Sequence, residues 1–181
     1  MTILRSKLTV TASSLGATSG RSKAAVDDLA TLTFSANSAG GVQITSVAIT
    51  FSGSAPSQTA FYSGTGSNAV VRIYDAANGT YYVPVASSSV STTGGKISFN
   101  LNNYQLSAGS SKSFTLRLNT TLGGSTAIGV TGISQTLSAT IAATTDVAWQ
   151  DALDSAASTL LPVESYLLPI NIASVSYAQG T

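Results

Sequence analysis

Residues 112–118 read KSFTLRL, so that Phe114, Leu116 and Leu118 are separated by single polar residues. A period of two places apolar side chains on one face of a β-strand and polar side chains on the other. Residues 97–101, which read ISFNL, repeat the pattern. Both stretches are therefore predicted to be strands that cover one hydrophobic core.

The same alternation, bounded by turn residues, recurs along the rest of the chain. It predicts further strands at 8–12, 32–36, 42–51, 70–74, 80–85, 127–130, 137–141 and 147–150. In the third of these the apolar positions change phase at Thr45–Ser46, which predicts a bulge. Asn78–Gly79 predicts a hairpin turn. About nine to ten strands indicate an all-β fold, namely a single antiparallel β-sandwich of Ig-like or jelly-roll-like type.

The domain organisation follows from the length and from the even composition. A chain of 181 residues fits one large sandwich better than two complete domains, and no linker interrupts it. Residues 1–181 are therefore predicted to form one domain. Residues 52–69 are predicted to be an exposed loop. Residues 160–181, which contain Pro162 and Pro169, are predicted to be an extended C-terminal arm with an edge strand.

The composition is poor in charge and rich in small hydroxyl side chains. Charged residues make up 8% of the chain and hydrophobic residues 43%, and there are 30 serines and 24 threonines. This hydrophobic content excludes a disordered Ser/Thr tract. The net charge of +1 predicts no nucleic-acid partner. The basic pairs Arg5/Lys7 and Arg21/Lys23 are predicted to be solvated ends or edge-strand gatekeepers.

The absence of cysteine and histidine narrows the chemistry. It excludes thiol catalysis, cysteine-based zinc sites, disulfides and the nucleophile systems that use a histidine base. The chain contains a single glutamate, Glu164, and no pair of carboxylates has a spacing that suggests a glycosidase. We therefore expect no enzymatic activity, no catalytic residue and no cofactor.

Asp146, Asp151 and Asp154 cluster near Trp149, and calcium would use such carboxylates. No Asp-x-Asp-x-Asp-Gly loop occurs, so capping and turn roles are the preferred interpretation, and no metal site is predicted.

The sequence offers candidates for two covalent modifications, N-glycosylation and a lysine isopeptide bond. Asn78-Gly-Thr80 and Asn119-Thr-Thr121 match the N-glycosylation sequon, although turn geometry alone explains Asn78. A lysine isopeptide bond is an alternative for Lys96 and Lys112, which are instead predicted to point outward.

Aromatic residues could form a platform on which a glycan stacks. The candidates are Tyr62, Tyr74, Tyr81, Tyr82 and Tyr104. Tyr81 and Tyr82 are consecutive in a predicted strand, so one ring is expected on each face and one of the two in the core.

No stretch of about 18 apolar residues occurs, which predicts no membrane insertion. Residues 1–7 also do not have the pattern of a signal peptide.

Several stretches resemble β-sandwich modules of large secreted bacterial cell-surface proteins. Residues 106–118, LSAGSSKSFTLRL, are similar to the turn-plus-strand pattern of such modules, as are 5–10, 25–29 and 33–36. The stretch 147–151 followed by Leu161-Pro162 and Leu168-Pro169 resembles C-terminal segments of such proteins from uncultured, small-genome bacteria. The resemblance implies a surface-layer-like, adhesin-like or filament-forming protein that is extracellular or at the cell surface.

These observations lead to one expected function and two alternatives. The expected function is a structural subunit of an extracellular filament or surface layer, whose partners are copies of itself. Assembly is expected by β-strand addition, with residues 1–12 donated through Leu4, Leu8 and Val10, or with the C-terminal strand donated instead. The alternatives are a carbohydrate-binding or adhesin module of a larger exported protein, with glycan partners, and a viral capsid or tail protein.

Overall fold

The computed structural model describes residues 6–21, 26–54, 70–85, 95–119, 135–152 and 168–178. Ten strands and no α-helix lie in these ranges, which confirms the predicted all-β fold. The strands are β1 (Leu8–Ser14), β2 (Asp27–Ala36), β3 (Val42–Ser52), β4 (Val71–Asp75), β5 (Thr80–Tyr82), β6 (Gly95–Leu106), β7 (Ser111–Leu118), β8 (Gln135–Ile141), β9 (Val147–Asp151) and β10 (Ile170–Tyr177).

The strands form two antiparallel sheets of five strands each, which make a β-sandwich. Sheet 1 has the strand order β1-β2-β7-β4-β5. Sheet 2 has the order β10-β8-β3-β6, and β9 also pairs with β3. Strand β3 has β6 on one side and, on the other, β9 along Val42–Val47 and β8 along Thr50–Ser52. Because they cover successive parts of β3, β8 and β9 act as one interrupted strand.

The predicted bulge in β3 is confirmed. The register of β3 with both β6 and β9 shifts between Ile44 and Ser46. On β6 the shift is accommodated by Asn102 and Asn103, which have φ angles of 55° and 56°. Asparagine is one of the few residues that adopt this left-handed conformation at low cost. The bulge therefore interrupts the outer strand β6 as well as the central strand.

The core lies between the sheets and is built from the alternating apolar positions. Phe114, the first apolar residue of the stretch quoted above, is 1% exposed and lies at the centre of an aromatic cluster. Its ring centroid is 5.6 Å from that of Phe34, 5.2 Å from Tyr104 and 6.0 Å from Tyr82, all in edge-to-face geometry. Edge-to-face packing is a favourable arrangement for aromatic pairs. These contacts connect sheet 1 to β6 of sheet 2.

The sandwich has two sides, where the edge strands of the two sheets come together. On the first side, the chain after β1 crosses to β10: the Ser176 N–H donates to Thr18, and the Arg21 N–H donates to Ser176, both at 3.0 Å. On the second side, the chain after β5 crosses to β6, where the Val85 N–H donates to Ser98 at 2.8 Å. Both sides are therefore bridged by backbone hydrogen bonds.

The remaining predictions divide into those inside and those outside the described residues. The hairpin turn between β4 and β5 is confirmed, with Gly79 at a φ of 64°. The described part of the predicted C-terminal arm, residues 168–178, contains β10, which pairs with β8. The predicted strand 127–130, most of the predicted loop 52–69 and the rest of the arm lie outside the described residues.

Candidate functional site

The structure contains ion pairs that the sequence does not predict. Four of them lie in the described residues and use eight of the fifteen charged side chains of the protein. Two are largely buried, Asp75–Lys112 and Arg21–Asp27. A charge that is paired within the chain repels a second molecule of the protein less than an unpaired charge does. The ion pairs therefore reduce the number of unpaired charges on the surface.

The Asp75–Lys112 pair corrects the prediction that Lys112 points outward. Lys112 Nζ lies 2.5 Å from Asp75 Oδ1, and the two side chains are 15% and 0% exposed. The ammonium also lies 5.5 Å from the Tyr104 ring centroid and 5.7 Å from that of Phe114. Lys112 occupies an inward position of β7, in phase with Phe114, and the carboxylate of Asp75 compensates for its burial. Lys96 does point outward, and its ammonium lies 2.6 Å from Asp146.

The Asp75 carboxylate is held in the charged form by its neighbours. Burial would raise the pKa of Asp75, but hydrogen bonds from Lys112 and Asn78 outweigh burial and hold this pKa below its usual value. Burial lowers the pKa of Lys112, and the hydrogen bond with Asp75 outweighs it in turn, so that the pKa is raised. An isopeptide bond would need a neutral amine and a protonated acid, and this environment favours the ion pair instead.

Arg21 corrects the prediction of a solvated basic pair, because its side chain is only 6% exposed. The guanidinium donates to Asp27 Oδ1 at 2.6 Å and to the carbonyl oxygens of Leu15 and Ala17. The Tyr177 hydroxyl of β10 donates to the other oxygen of Asp27, also at 2.6 Å. Burial and this hydrogen bond raise the pKa of Tyr177 far above its usual value. Arg21, Asp27 and Tyr177, which we call the latch, thus tie sheet 1 to sheet 2.

The outer face of sheet 1 carries a regular set of hydroxyl groups, which we call the hydroxyl face. It consists of nine side chains on β1, β2 and β7: Thr9, Thr11, Ser13, Thr31, Thr33, Ser35, Ser111, Ser113 and Thr115. All nine are exposed or half-buried, and they alternate with core residues. Adjacent strands are about 4.8 Å apart and alternate residues about 6.7 Å, so the hydroxyl groups form a nearly rectangular array.

The registers of the three strands align the hydroxyl groups in rows across the sheet. One row contains Thr11, Thr33 and Ser113, and Thr33 Oγ1 lies 2.8 Å from Ser113 Oγ. In the next row, Ser35 Oγ and Ser111 Oγ are also 2.8 Å apart. No charged side chain belongs to these three rows. The hydroxyl face is therefore a broad, neutral surface made of short side chains.

The third row continues into an aromatic pair. Thr115 is opposite Tyr74, which in turn is opposite Tyr81 on the edge strand β5. The two tyrosine rings are stacked with centroids 4.8 Å apart, and the Arg117 guanidinium lies 4.3 Å from the Tyr74 centroid. By strand order, Arg117 and Tyr81 cover opposite faces of Tyr74. Tyr74 is therefore covered on both faces. The Tyr81 ring is half-buried, with Tyr74 stacked on one face and the Arg72 guanidinium 5.5 Å from its centroid. Tyr82 is 8% exposed and belongs to the core, as predicted for one of these two rings.

A groove of about 490 Å³ lies on the outer face of sheet 2, next to the end of β1. Its lining is Ser14, Thr18, Ser138, Thr140, Asn171, Ile172, Ala173 and Ser174. Five hydroxyl groups and one amide could hydrogen-bond a neutral polar ligand. The lining contains no aromatic ring, and Tyr81 lies on the other sheet. The polar groove and the Tyr81 ring, each of which would favour glycan binding, therefore lie on different sheets.

The predicted donor residues lie in the strand that forms the edge of sheet 1. Leu8 and Val10 are 0% and 1% exposed and belong to β1, which pairs with β2 of the same chain. Leu4 lies outside the described residues. Removing a buried leucine or valine from its core costs about 1.5–3 kcal/mol. Donation of residues 1–12 stays a prediction, and it would require β1 to leave its own sheet.

The two sequons are in different environments. Asn78 lies in the exposed β4–β5 turn, and its Nδ2 donates to Asp75 Oδ2 at 2.7 Å, so it also has the predicted turn role. Asn119 is 9% exposed, and a glycan needs a surface asparagine, so its burial argues against attachment. Thr121 lies outside the described residues. Glycosylation at Asn78 stays a prediction.

The aspartates considered for calcium do not form a metal site in the described part of the chain. No group of three or more His, Cys, Asp or Glu side chains in these residues is arranged to hold an ion. Asp146 has the predicted turn role, since it accepts hydrogen bonds from the Ala142 and Ala143 N–H groups at 3.1 and 3.0 Å. Asp154 lies outside the described residues. A helix long and apolar enough to cross a membrane is also missing from the described ranges.

Comparison with known proteins adds no assignment: no family model matches the chain, and no curated protein is significantly similar to it. The function must therefore be argued from the hydroxyl face, the edges and the ion pairs. The predicted strands 8–12, 32–36 and 112–118 contain six of the nine residues of the hydroxyl face, and Ser13, Thr31 and Ser111 lie one residue outside these ranges. The sequence does not predict their alignment, because the order β1-β2-β7 joins segments that are far apart in the chain.

Proposed function

We propose that this protein is a structural subunit of an extracellular filament or surface layer and that it assembles with copies of itself. The observation that carries the proposal is the hydroxyl face. Nine short hydroxyl side chains cover three adjacent strands, and no charged group belongs to their rows. Short side chains lose little conformational entropy when a second surface covers them.

The distribution of charge supports the same proposal. A surface with low net charge and few free charges favours association, whereas a charged surface keeps copies apart. The protein has a net charge of +1, and ion pairs within the chain use eight of its fifteen charged side chains. Charge is also depleted at the centre of protein interfaces. A capsid or tail protein would use such self-packing too, and the neighbouring genes would distinguish it.

The test is the state of the purified chain at increasing concentration. Light scattering after size-exclusion chromatography and negative-stain microscopy should show oligomers that grow with concentration, and then filaments or sheets. Ser113→Lys places a charge in the hydroxyl face and should reduce this assembly. Ser174→Lys adds the same charge to the outer face of sheet 2 and serves as the matched control. A chain that stays monomeric at every concentration would contradict the proposal.

The second candidate function is a carbohydrate-binding module, and Tyr81 is the observation that favours it. This ring lies on the edge strand β5, and Tyr74 covers the face that is directed into the sheet. An aromatic face at a sheet edge can stack on a sugar ring. A monomeric chain that binds a glycan array and loses binding on Tyr81→Ala, but not on Tyr104→Phe, would support this function instead.

A further inference from the structure

Within the described residues, β1 and β5 are the end strands of sheet 1 and β6 and β10 are those of sheet 2, and these strands differ in how they are protected from pairing with another chain. An edge is usually blunted by shortness, proline, a bulge or a covering segment. Strand β5 has three residues and is followed by Pro84. Strand β6 has the bulge at Asn102 and Asn103 and is covered at Ser98. Strand β10 has a register shift between Asn171 and Ala173 and is covered at Ser176.

In the part of the chain that the structure describes, strand β1 has none of these devices. Its seven residues, LTVTASS, contain no charge and no proline, and its register with β2 is continuous from Leu8 to Ser14. The hydrogen bond from the Asn37 N–H to the Lys7 carbonyl and that from the Leu15 N–H to the Leu29 carbonyl fix which residues face β2. In an antiparallel pair the bonded residues alternate, so the odd-numbered residues of β1 bond to β2. The even-numbered ones direct their N–H and C=O groups to the open edge.

We propose that β1 pairs antiparallel with β1 of a second copy about a two-fold axis at Thr11. This inference rests on the proposed function and names the first interface of the assembly. The outward groups belong to Leu8, Val10, Ala12 and Ser14, and they must pair with outward groups of the other copy. A register with Val10 opposite Ala12 and Leu8 opposite Ser14 satisfies this condition and overlaps all seven residues, with about eight hydrogen bonds between the chains.

The side chains that would lie opposite each other in this register are compatible. On the core face, Val10 meets Ala12, and both are apolar. On the outer face, Thr9 meets Ser13 and Thr11 meets Thr11, so the rows of the hydroxyl face continue into the second chain and double in length. Cross-strand pairs of hydroxyl residues are favourable in sheets. Lys7 lies just beyond the paired stretch. Moving the register by two residues shortens the overlap.

The register predicts where a disulfide can form in a chain that has no cysteine of its own. Thr11 opposes Thr11 in a non-hydrogen-bonded pair, where the Cα atoms are about 4.5 Å apart. This separation suits a disulfide. Thr11→Cys should therefore give a covalent dimer under mild oxidation. Thr33→Cys is the matched control on the next strand of the same face, and it should stay reduced, as should Thr9→Cys alone. The double variant Thr9→Cys/Ser13→Cys should cross-link.

Two further variants test the edge without cysteine. Ala12→Pro removes one outward N–H from each chain and none that bonds to β2, and should weaken dimerisation about tenfold or more. Thr11→Lys places like charges opposite each other on the axis and should have a similar effect. Melting temperatures verify that both variants fold. Ser113→Lys, far from the axis, should still form the dimer.

The outcomes separate the inference from the proposed function. Covalent dimers of Thr11→Cys together with reduced Thr33→Cys support the two-fold edge. If the wild type assembles while Thr11→Cys stays reduced and Thr11→Lys assembles normally, the β1 interface is wrong and the structural function stands. A wild type that is monomeric throughout overturns the function itself. An edge already occupied by the chain's own C-terminal arm would also leave Thr11→Cys reduced, and that result counts against the inference.

Discussion

The two sides of the sandwich are closed by different means. On the β5/β6 side, β5 is short, Pro84 and Val85 cross to β6, and the aromatic cluster around Phe114 lies beneath, together with the buried Asp75–Lys112 pair. On the β1/β10 side, the latch joins the sheets near Tyr177, and the seven residues of β1 remain a regular edge.

Protection of a sheet edge in this protein is local and selective. Among the described residues, bulges or crossing segments occur on β6 and β10 and none occurs on β1. An exposed regular edge favours pairing with other chains, and this is why we propose an interface at β1.

Among the variants considered, loss of the buried Asp75–Lys112 ion pair should reduce stability most. Asp75→Ala leaves the Lys112 ammonium buried without its carboxylate, and loss of one partner of such a pair costs about 3–5 kcal/mol. Asp28→Ala is the control, because it removes the same chemical group from the more exposed Arg117–Asp28 pair, where about 1 kcal/mol or less is expected. Urea unfolding measures both. Equal losses would show that burial of the pair does not matter.

The Asp75–Lys112 pair should also make the stability of the protein sensitive to acid. Because the folded-state pKa of Asp75 is lowered, its stabilising contribution is present above the unfolded-state pKa of about 3.9 and is lost as the pH falls towards the folded-state pKa. The wild type should therefore lose more stability than Asp75→Ala between neutral pH and about pH 3. A parallel loss in the two proteins would assign the acid sensitivity to other carboxylates.

The latch of the β1/β10 side should have an intermediate effect. Tyr177→Phe removes a 2.6 Å hydrogen bond to the carboxylate of Asp27, which is worth about 1.5–3 kcal/mol. The folded-state pKa of Tyr177 is raised, so its contribution is present below the unfolded-state pKa of about 10 and is lost as the pH rises above that value. Denaturant titrations at neutral and alkaline pH measure this. Tyr81→Phe, at a half-buried surface ring, should change stability by less than about 0.5 kcal/mol.

The bulge on β6 should have the smallest effect. Asn103 has a φ of 56°, so Asn103→Ala should cost about 1 kcal/mol, because alanine adopts this conformation less readily. Asn103→Gly should retain stability, since glycine has no side chain to strain. Thermal unfolding of the two variants measures the difference. If both lose the same amount, the hydrogen bond from Thr45 to Asn103, and not the backbone, stabilises the bulge.

The alternating sequence predicted most of the fold for a physical reason. Inward and outward positions of a strand differ by one residue, so Phe114, Leu116 and Leu118 identified a strand and its buried face. The bulge at Thr45–Ser46 was predictable because an inserted residue shifts the phase of the same pattern. Lys112 and Arg21 were assigned to solvent because the sequence does not show a partner that compensates a buried charge. Asp75 lies 37 residues from Lys112. Asp27 lies only six residues from Arg21, but the Tyr177 hydroxyl that donates to this carboxylate is 150 residues from it.

The fold class, the strands and the shortage of charge can be read from the amino-acid sequence, because each of these depends on local spacing or on composition. The tertiary structure alone decided which strands are neighbours. It aligned the hydroxyl groups of β1, β2 and β7 in rows, buried two ion pairs, and left β1 at a regular edge. Strand order depends on contacts between distant segments, and these contacts have no periodic signal in the chain.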